Sequence, residues 1–263
     1  MFITLLTDFG IEDEYVAIVK GVILTIHPSA TFIDVTHEVP LGDVRRGGWL
    51  LRWSWSYFPK GTVHLTVVDP GVGSNRRILC LQHKGHLFLA PDNGIFAPLL
   101  SDVPRPTLYA VTQRRYALKK ISHTFHGRDI FAPAAAYLSK GLAPHRLGPR
   151  VDTYKRFELP ELLSTRTGSL SGEIIAFDGF GSAVTNLGHE RLAPLARKGP
   201  LAIHVKGRKL QGIQRSYAAV PKGSPCAVIG SRGLLEISIR MGCAASSWHL
   251  QVGDPVEVRL VAP

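Results

Sequence analysis

Short apolar runs that each stop at an acidic turn constrain this chain more than any other feature. Phe2–Thr7 ends at Asp8-Phe9-Gly10, Thr62–Val68 ends at Asp69-Pro70-Gly71-Val72-Gly73, and His86–Ala90 runs on to Asp92-Asn93-Gly94. Such runs between turn residues read as buried strands. Segments with helical spacing lie among them. Val16, Val19, Val22, Ile23 and Ile26 share one face over Glu14–Ile26, with Asp13 as the expected cap and His27-Pro28 as the stop. Thr31–Thr36 is a further strand, and Asp43 opens a second helix that runs to about Tyr57. Ile78–Leu81 and His86–Ala90 flank Lys84-Gly85 as a hairpin. A short helix is expected after Gly94, a strand over Thr107–Val111 and an alanine-rich helix over Ile130–Leu138. This alternation predicts an α/β N-terminal domain with a central, largely parallel sheet. Open sheets of that kind gather ligands beyond the carboxyl ends of their strands, which is where the acidic turns fall.

The second half reads differently. From Gly141 to Gly168 the chain is rich in Pro, Arg and Leu without clear periodicity, and we place the connection at 151–167, between a first domain over 1–150 and a second over 168–263. Beyond it come short strands over Gly172–Phe177, Ala183–Leu187, Leu201–Val205, Tyr217–Val220, Cys226–Ile229, Leu234–Ile239 and Val256–Leu260, punctuated by Gly and Pro. They predict a smaller all-β, barrel-like C-terminal domain.

Composition removes several function classes. The chain is basic, with 31 Lys and Arg against 20 Asp and Glu, yet no run of basic residues exceeds a pair and no aromatic-interleaved stripe exists, which argues against nucleic acid as a partner. Cys80, Cys226 and Cys243 are too widely spaced for a zinc site or a disulfide framework and read as buried thiols of a cytoplasmic protein. The N-terminus lacks a positive leader region and reads as a first strand, not a signal peptide. No apolar run is long enough to span a membrane as a helix.

Five stretches carry candidate chemistry. A carboxylate at a strand end, Asp8 with Asp13 nearby, suits both hydroxyls of a ribose; the alternative is a turn Asp bonding its own backbone. Asp69 and Arg76 stand on one glycine-bearing loop that is neither a dinucleotide fingerprint nor a P-loop, and they are placed to pair, for catalysis or only for structure. His126, beside Phe125 and before Gly127, stands at the start of a helix that Arg128 and Asp129 support. Asp178, Phe180 and Asn186 offer charge, a stacking face and an amide, or else a glycine-rich hairpin. Ser231, Arg232 and Glu236 lie around a turn between two strands. The sequence contains no zinc-helix motif, cysteine pair or spaced carboxylate cluster, and no nucleophile elbow, so no metal is expected.

Together these stretches resemble the S-adenosylmethionine hydroxide adenosyltransferase family, whose relatives include the fluorinase and chlorinase enzymes. The resemblance runs in order through Leu6-Thr-Asp-Phe-Gly10, Asp34-Val-Thr-His37, Val67-Val-Asp-Pro-Gly-Val-Gly73, Ala90-Pro-Asp-Asn-Gly94, Thr124-Phe-His-Gly-Arg-Asp129, Phe180-Gly-Ser-Ala-Val-Thr-Asn186, Ser231-Arg-Gly-Leu-Leu-Glu236 and Val252-Gly-Asp254. It implies an enzyme that attacks S-adenosyl-L-methionine with water at the ribose C5′ and releases adenosine and L-methionine, without a further cofactor. The residues implied around the water are Asp69, Arg76 and His126. Asp8 and Asp13 are implied at the ribose, with Phe125 lining the site. Asp178, Asn186, Ser231 and Arg232 are implied at the methionine and adenine ends. An Asp paired with Arg is a weak base, which favours His126 as proton acceptor near neutrality; the alternative is that the triad works through positioning and electrostatics, and the sequence does not decide which member takes the proton. The resemblance also implies a homotrimer with ligand between subunits. Departures from the halogenases are informative: they carry Tyr-Pro where this chain has Asp69-Pro70, lack a histidine at the His126 position, place a serine at Gly127 and contain an extra loop. Ser182 stands where relatives often carry Asn. A halogenase and a non-catalytic S-adenosylmethionine or adenosine sensor are the alternatives.

Overall fold

The computed structural model describes residues 1–164 and 168–261, so 165–167 of the expected connection lie outside it. The chain divides into two compact units, Met1–Leu159 and Pro160–Pro263.

The first unit is built on strands β1 (Phe2–Thr7), β2 (Thr31–Thr36), β3 (Val63–Val67), β4 (Ile78–His83), β5 (His86–Pro91), β6 (Thr107–Ala110) and β7 (Arg150–Val151), in the order β2-β1-β3-β5-β4-β6-β7. The pairs β1–β2, β1–β3 and β3–β5 are parallel; the rest are antiparallel, so the sheet is mixed, with its parallel strands at the end that carries the acidic turns. The β4–β5 hairpin turns on Lys84 and Gly85, both at positive φ, which matches strand twist in a two-residue turn.

Strand alternation divides the core. Ile3, Leu5, Val63, Leu65 and Val67 face helices α1 (Tyr15–Ile26) and α3 (Ala132–Ser139), through Val19, Ile23 and the alanines of α3. Leu6, Val68, Leu79, Leu81 and Phe88 face α2 (Val44–Ser54) through Leu51. Asp43 caps α2 as expected, its carboxylate accepting the Arg46 N–H at 2.8 Å. Asp13 does not cap α1: Glu14 holds that position in helical backbone without a side-chain bond. The helix expected after Gly94 is a succession of turns, because Asn93 accepts the Ile95 N–H and draws the chain into a local loop. Residues 151–159 belong to the first unit: Lys155 N–H reaches Asp92 at 2.7 Å and Arg45 lies over the Phe157 ring.

The second unit is an antiparallel sheet of β8 (Leu163–Ser164), β9 (Leu170–Phe177), β10 (Ala183–Gly188), β11 (Leu201–Val205), β12 (Arg208–Gln211), β13 (Pro225–Ile229), β14 (Leu234–Ile239) and β15 (Pro255–Leu260). The order β12-β11-β15-β9-β10-β14-β13, with β8 beside β9, curls until a Gln214–Val228 bridge nearly closes it into a barrel. Leu170, Ile174, Leu187, Ile203, Leu235 and Val256 fill its interior. Short helices α4 (His189–Ala196) and α5 (Ala244–Ser247) complete the unit. Tyr217–Ala219, expected as a strand, is a 3-10 turn. Of the thiols, Cys80 and Cys226 are buried, whereas Cys243 is partly exposed.

Candidate active site

Parallel pairing sets Thr7 of β1 opposite Val67 of β3, so the first two acidic turns leave the sheet side by side. Asp8 Oδ2 accepts the Gly42 N–H at 2.9 Å. Burial raises the Asp8 pKa from its ordinary value; the Gly42 N–H opposes the rise and the neighbouring Asp69 charge adds to it.

Asp69 and Arg76 close on each other across their loop. Arg76 Nε donates to both Asp69 oxygens at 2.8 Å, and Nη2 also donates to Oδ2. The two side chains are only 5% and 6% exposed, so the pair is screened from water. The loop winds through Val72 N–H to Asp69 C=O and Ser74 N–H to Gly71 C=O, both 3.1 Å. Gly73 sits at φ 79°, and a Cβ there would lie 2.4 Å from the His123 carbonyl oxygen. Only glycine lets this loop press onto the strand of chain that leads to His126.

Arg76 Nη2 lies 2.9 Å from His126 Nδ1. A guanidinium has donors only, so Nδ1 accepts and the ring proton of neutral His126 is on Nε2. Burial, then the Arg76 charge, hold the His126 pKa below its ordinary value against the opposing pull of Asp69 and Asp129. In this arrangement the Nδ1 lone pair of His126 is engaged by Arg76.

His126 precedes a single π-helical turn, Gly127–Phe131, of the kind that interrupts helices at functional sites. Asp129, fully buried, binds Arg128 Nε at 2.6 Å and Ser122 N–H at 2.7 Å, which locks the turn. Phe125 meets Tyr15 and Phe9 edge-on, with centroids 5.1 and 6.0 Å apart. A Cβ at Gly127 would come within 3.1 Å of Phe9. Asp13 is exposed just before α1. Asp92 is spent on structure: nearly fully buried, it binds Arg77 Nε at 2.8 Å.

In the second unit, Asp178 Oδ1 accepts the Phe180 and Ser182 N–H groups at 3.0 and 2.8 Å, which shapes the hairpin between β9 and β10. Asn186 commits its amide inside the unit, accepting Glu173 N–H at 2.8 Å and donating to Pro160 C=O at 3.1 Å. Ser231 is exposed, and Arg232 Nη1 lies 3.4 Å from Glu236 Oε1. Glu236 is buried and also accepts the Tyr217 hydroxyl at 2.6 Å. Burial and the adjacent Glu236 carboxylate push the Tyr217 pKa above its ordinary value. The sequence gives no role to Tyr217, Phe9 or Tyr15, and names Glu236 only as part of the Ser231–Glu236 turn. A glutamate inside the apolar run Leu234–Ile239 is the signal that marks Glu236.

Among the described residues, no group of three or more His, Cys, Asp or Glu side chains is placed to hold a metal ion. None of the described helices is long and apolar enough to cross a membrane.

Comparison with known proteins bears on both units. The model of the SAM hydroxide adenosyltransferase N-terminal domain matches residues 3–148, and that of the corresponding C-terminal domain matches residues 172–257. A curated relative from Thermus thermophilus, named (R)-S-adenosyl-L-methionine hydrolase, is 38% identical over 96% of this chain and 97% of its own length. A fluorinase from an Actinoplanes species is 26% identical over 97% of this chain and 96% of its own. The crystal structure of an uncharacterised conserved protein from Thermotoga maritima superposes with a TM-score of 0.91 at 32% identity, covering 98% of this chain and 99% of that one.

Proposed function

This chain belongs to the S-adenosylmethionine hydroxide adenosyltransferase family, and on that premise we propose that it hydrolyses S-adenosyl-L-methionine to adenosine and L-methionine. The observation that carries the reading is the part-buried Asp69–Arg76–His126 constellation at the strand exits beside Asp8. The Asp69-Pro70 loop and His126 also stand where the halogenase pattern, as the resemblance describes it, differs.

The electrophile is activated before it binds, because the sulfonium makes methionine a good leaving group. Water oxygen attacks C5′, the C5′–S bond breaks and its electron pair stays on sulfur. The oxygen that joins C5′ begins as an oxonium, a strong acid that sheds its proton to Asp69 or to solvent without a strong base. Asp69 therefore acts by accepting a hydrogen bond from the water and aiming its lone pair, while Arg76 fixes the carboxylate. His126, neutral with Nε2–H, accepts from Arg76 through Nδ1 beside the Asp69 carboxylate and stays uncharged near the cationic substrate. Asp8 accepts ribose hydroxyls with the oxygen not held by Gly42, Asp13 supports it and Phe125 lines the pocket. Asp178, Ser231 and Arg232 serve the methionine and adenine ends, with Asn186 shaping the hairpin that carries Asp178. We assign the chain to the cytoplasm as a homotrimer that needs no metal or further cofactor.

The test is a product assay with S-adenosyl-L-methionine in ¹⁸O-enriched, halide-free buffer. Adenosine labelled at its 5′-oxygen and absent with Asp69→Ala supports the reading. Substrate left intact by the unaltered protein moves the assignment to a sensor; a 5′-halo product in added halide moves it to a halogenase.

A further inference from the structure

Asp34-Val-Thr-His37 belongs to the motifs of the sequence, yet the proposed mechanism gives it no task. His37 is buried at the exit of β2 and its Nδ1 lies 2.8 Å from Thr7 Oγ1. Its Nε2 lies 3.2 Å from Asp34 Oδ1, and Asp34 Oδ2 in turn receives Lys20 Nζ at 2.6 Å. Thr7, also buried, accepts the Phe9 N–H at 3.3 Å through the same hydroxyl. Main-chain bonds tie the same two segments: Gly10 N–H to His37 C=O at 2.8 Å and Val39 N–H to Thr7 C=O at 3.3 Å. Thr7 and Phe9 are the residues on either side of Asp8.

An Asp–His–Thr series invites comparison with a nucleophilic triad, but Thr7 is 2% exposed and cannot reach a substrate. The directions of the bonds fit support instead. The Thr7 hydroxyl, facing Nδ1, can donate to it while its oxygen accepts the Phe9 N–H; Nε2 lies within ion-pair distance of Asp34 but makes no hydrogen bond. The Thr7–His37 contact and the two main-chain bonds thus tie the exit of β2 to the backbone around Asp8, with the Lys20–Asp34 pair beside them. We propose that Thr7 and His37 are positioning residues that hold the Asp8 turn for ribose binding; this rests on Asp8 being the ribose carboxylate.

The experiment is a double-mutant cycle on the full chain, reading kcat and KM for S-adenosyl-L-methionine and the melting temperature of each variant. Thr7→Val keeps the shape and removes the hydroxyl. It is expected to raise KM about tenfold with little change in kcat, the size of one lost buried hydrogen bond, while Thr7→Ser stays near the unaltered protein. In the Asp8→Ala background Thr7→Val is expected to add nothing, because both act through one contact. An unchanged KM for Thr7→Val, or an equal increase with and without Asp8, overturns the positioning role alone. An unchanged KM for Asp8→Ala overturns the ribose assignment and the positioning role with it. If Thr7→Val does not fold, the comparison passes to His37: His37→Asn keeps an acceptor facing Thr7 and should retain a lower KM than His37→Ala, and equal values for the two overturn the proposal.

Discussion

Replacing Arg76 by Met should make His126 easier to protonate. The guanidinium Nη2 stands 2.9 Å from Nδ1, which puts the two charge centres of a protonated pair about 4 Å apart. Two like charges at that distance repel by about 1 kcal/mol in a water-like medium and about 4 kcal/mol at the effective dielectric of a protein surface. Removal of Arg76 takes this repulsion away and should raise the His126 pKa. Asp69, left without its partner, pulls in the same direction, so the sign does not depend on the dielectric chosen. Met keeps an unbranched apolar stem but removes the guanidinium that lies over the Phe131 ring and leaves a buried carboxylate uncompensated, so some loss of stability accompanies the shift. The assay is an NMR titration of ¹⁵N-labelled imidazoles, with His126→Gln to identify the signal. Unaltered protein should show an Nε2–H ring that titrates below the ordinary histidine value, and Arg76→Met should move the midpoint upward. A midpoint that stays or falls, or an Nδ1–H tautomer in the unaltered protein, would refute the Arg76–His126 contact as the cause. If turnover needs neutral His126, the acid limb of kcat/KM moves to higher pH in the same variant.

Other consequences can be checked more briefly. Gly73→Ala forces a Cβ against the His123 carbonyl at positive φ; it should lower kcat at least tenfold while the far-ultraviolet spectrum stays native, and full activity would mean that the loop tolerates displacement. Leu65→Ala, at a fully buried position in β3, should cost about 3 kcal/mol in urea unfolding. His64, buried against His86 and Thr4, has its pKa lowered to about 3 by burial and then by His86. A group protonated more readily in the unfolded chain stabilises the fold above pH 6.5 and loses that contribution as the pH falls toward 3, up to about 5 kcal/mol. Urea midpoints for the unaltered protein and His64→Gln should therefore diverge in slope between pH 7 and 4, and parallel slopes would remove His64 from the acid response.

What the sequence reveals depends on whether a residue's partners are near it in the chain. β1 and β3 are legible because each is a short, mostly apolar run bounded by turn residues, and their acidic exits mark the ligand end. The Asp69–Arg76 pair is legible because one loop carries both members. Their contact with His126 is not, since it depends on Gly73 resting against His123 and on the π-helical turn that follows. The same distinction separates the elements. β12 has a single buried residue, Leu210, and owes its strand form to pairing with β11; β7 and β8 have two residues each; α4 carries Pro194 within it. Tyr217–Ala219 has the composition of a strand, but its tyrosine is tied to Glu236 on β14 and the backbone turns accordingly. His37 extends the point to function. Its motif is visible in the sequence, but its task follows only from where Thr7 lies, thirty residues earlier in the chain and one hydrogen bond away. A side chain that acts on its neighbour across two parallel strands leaves a motif in the sequence without leaving its meaning there.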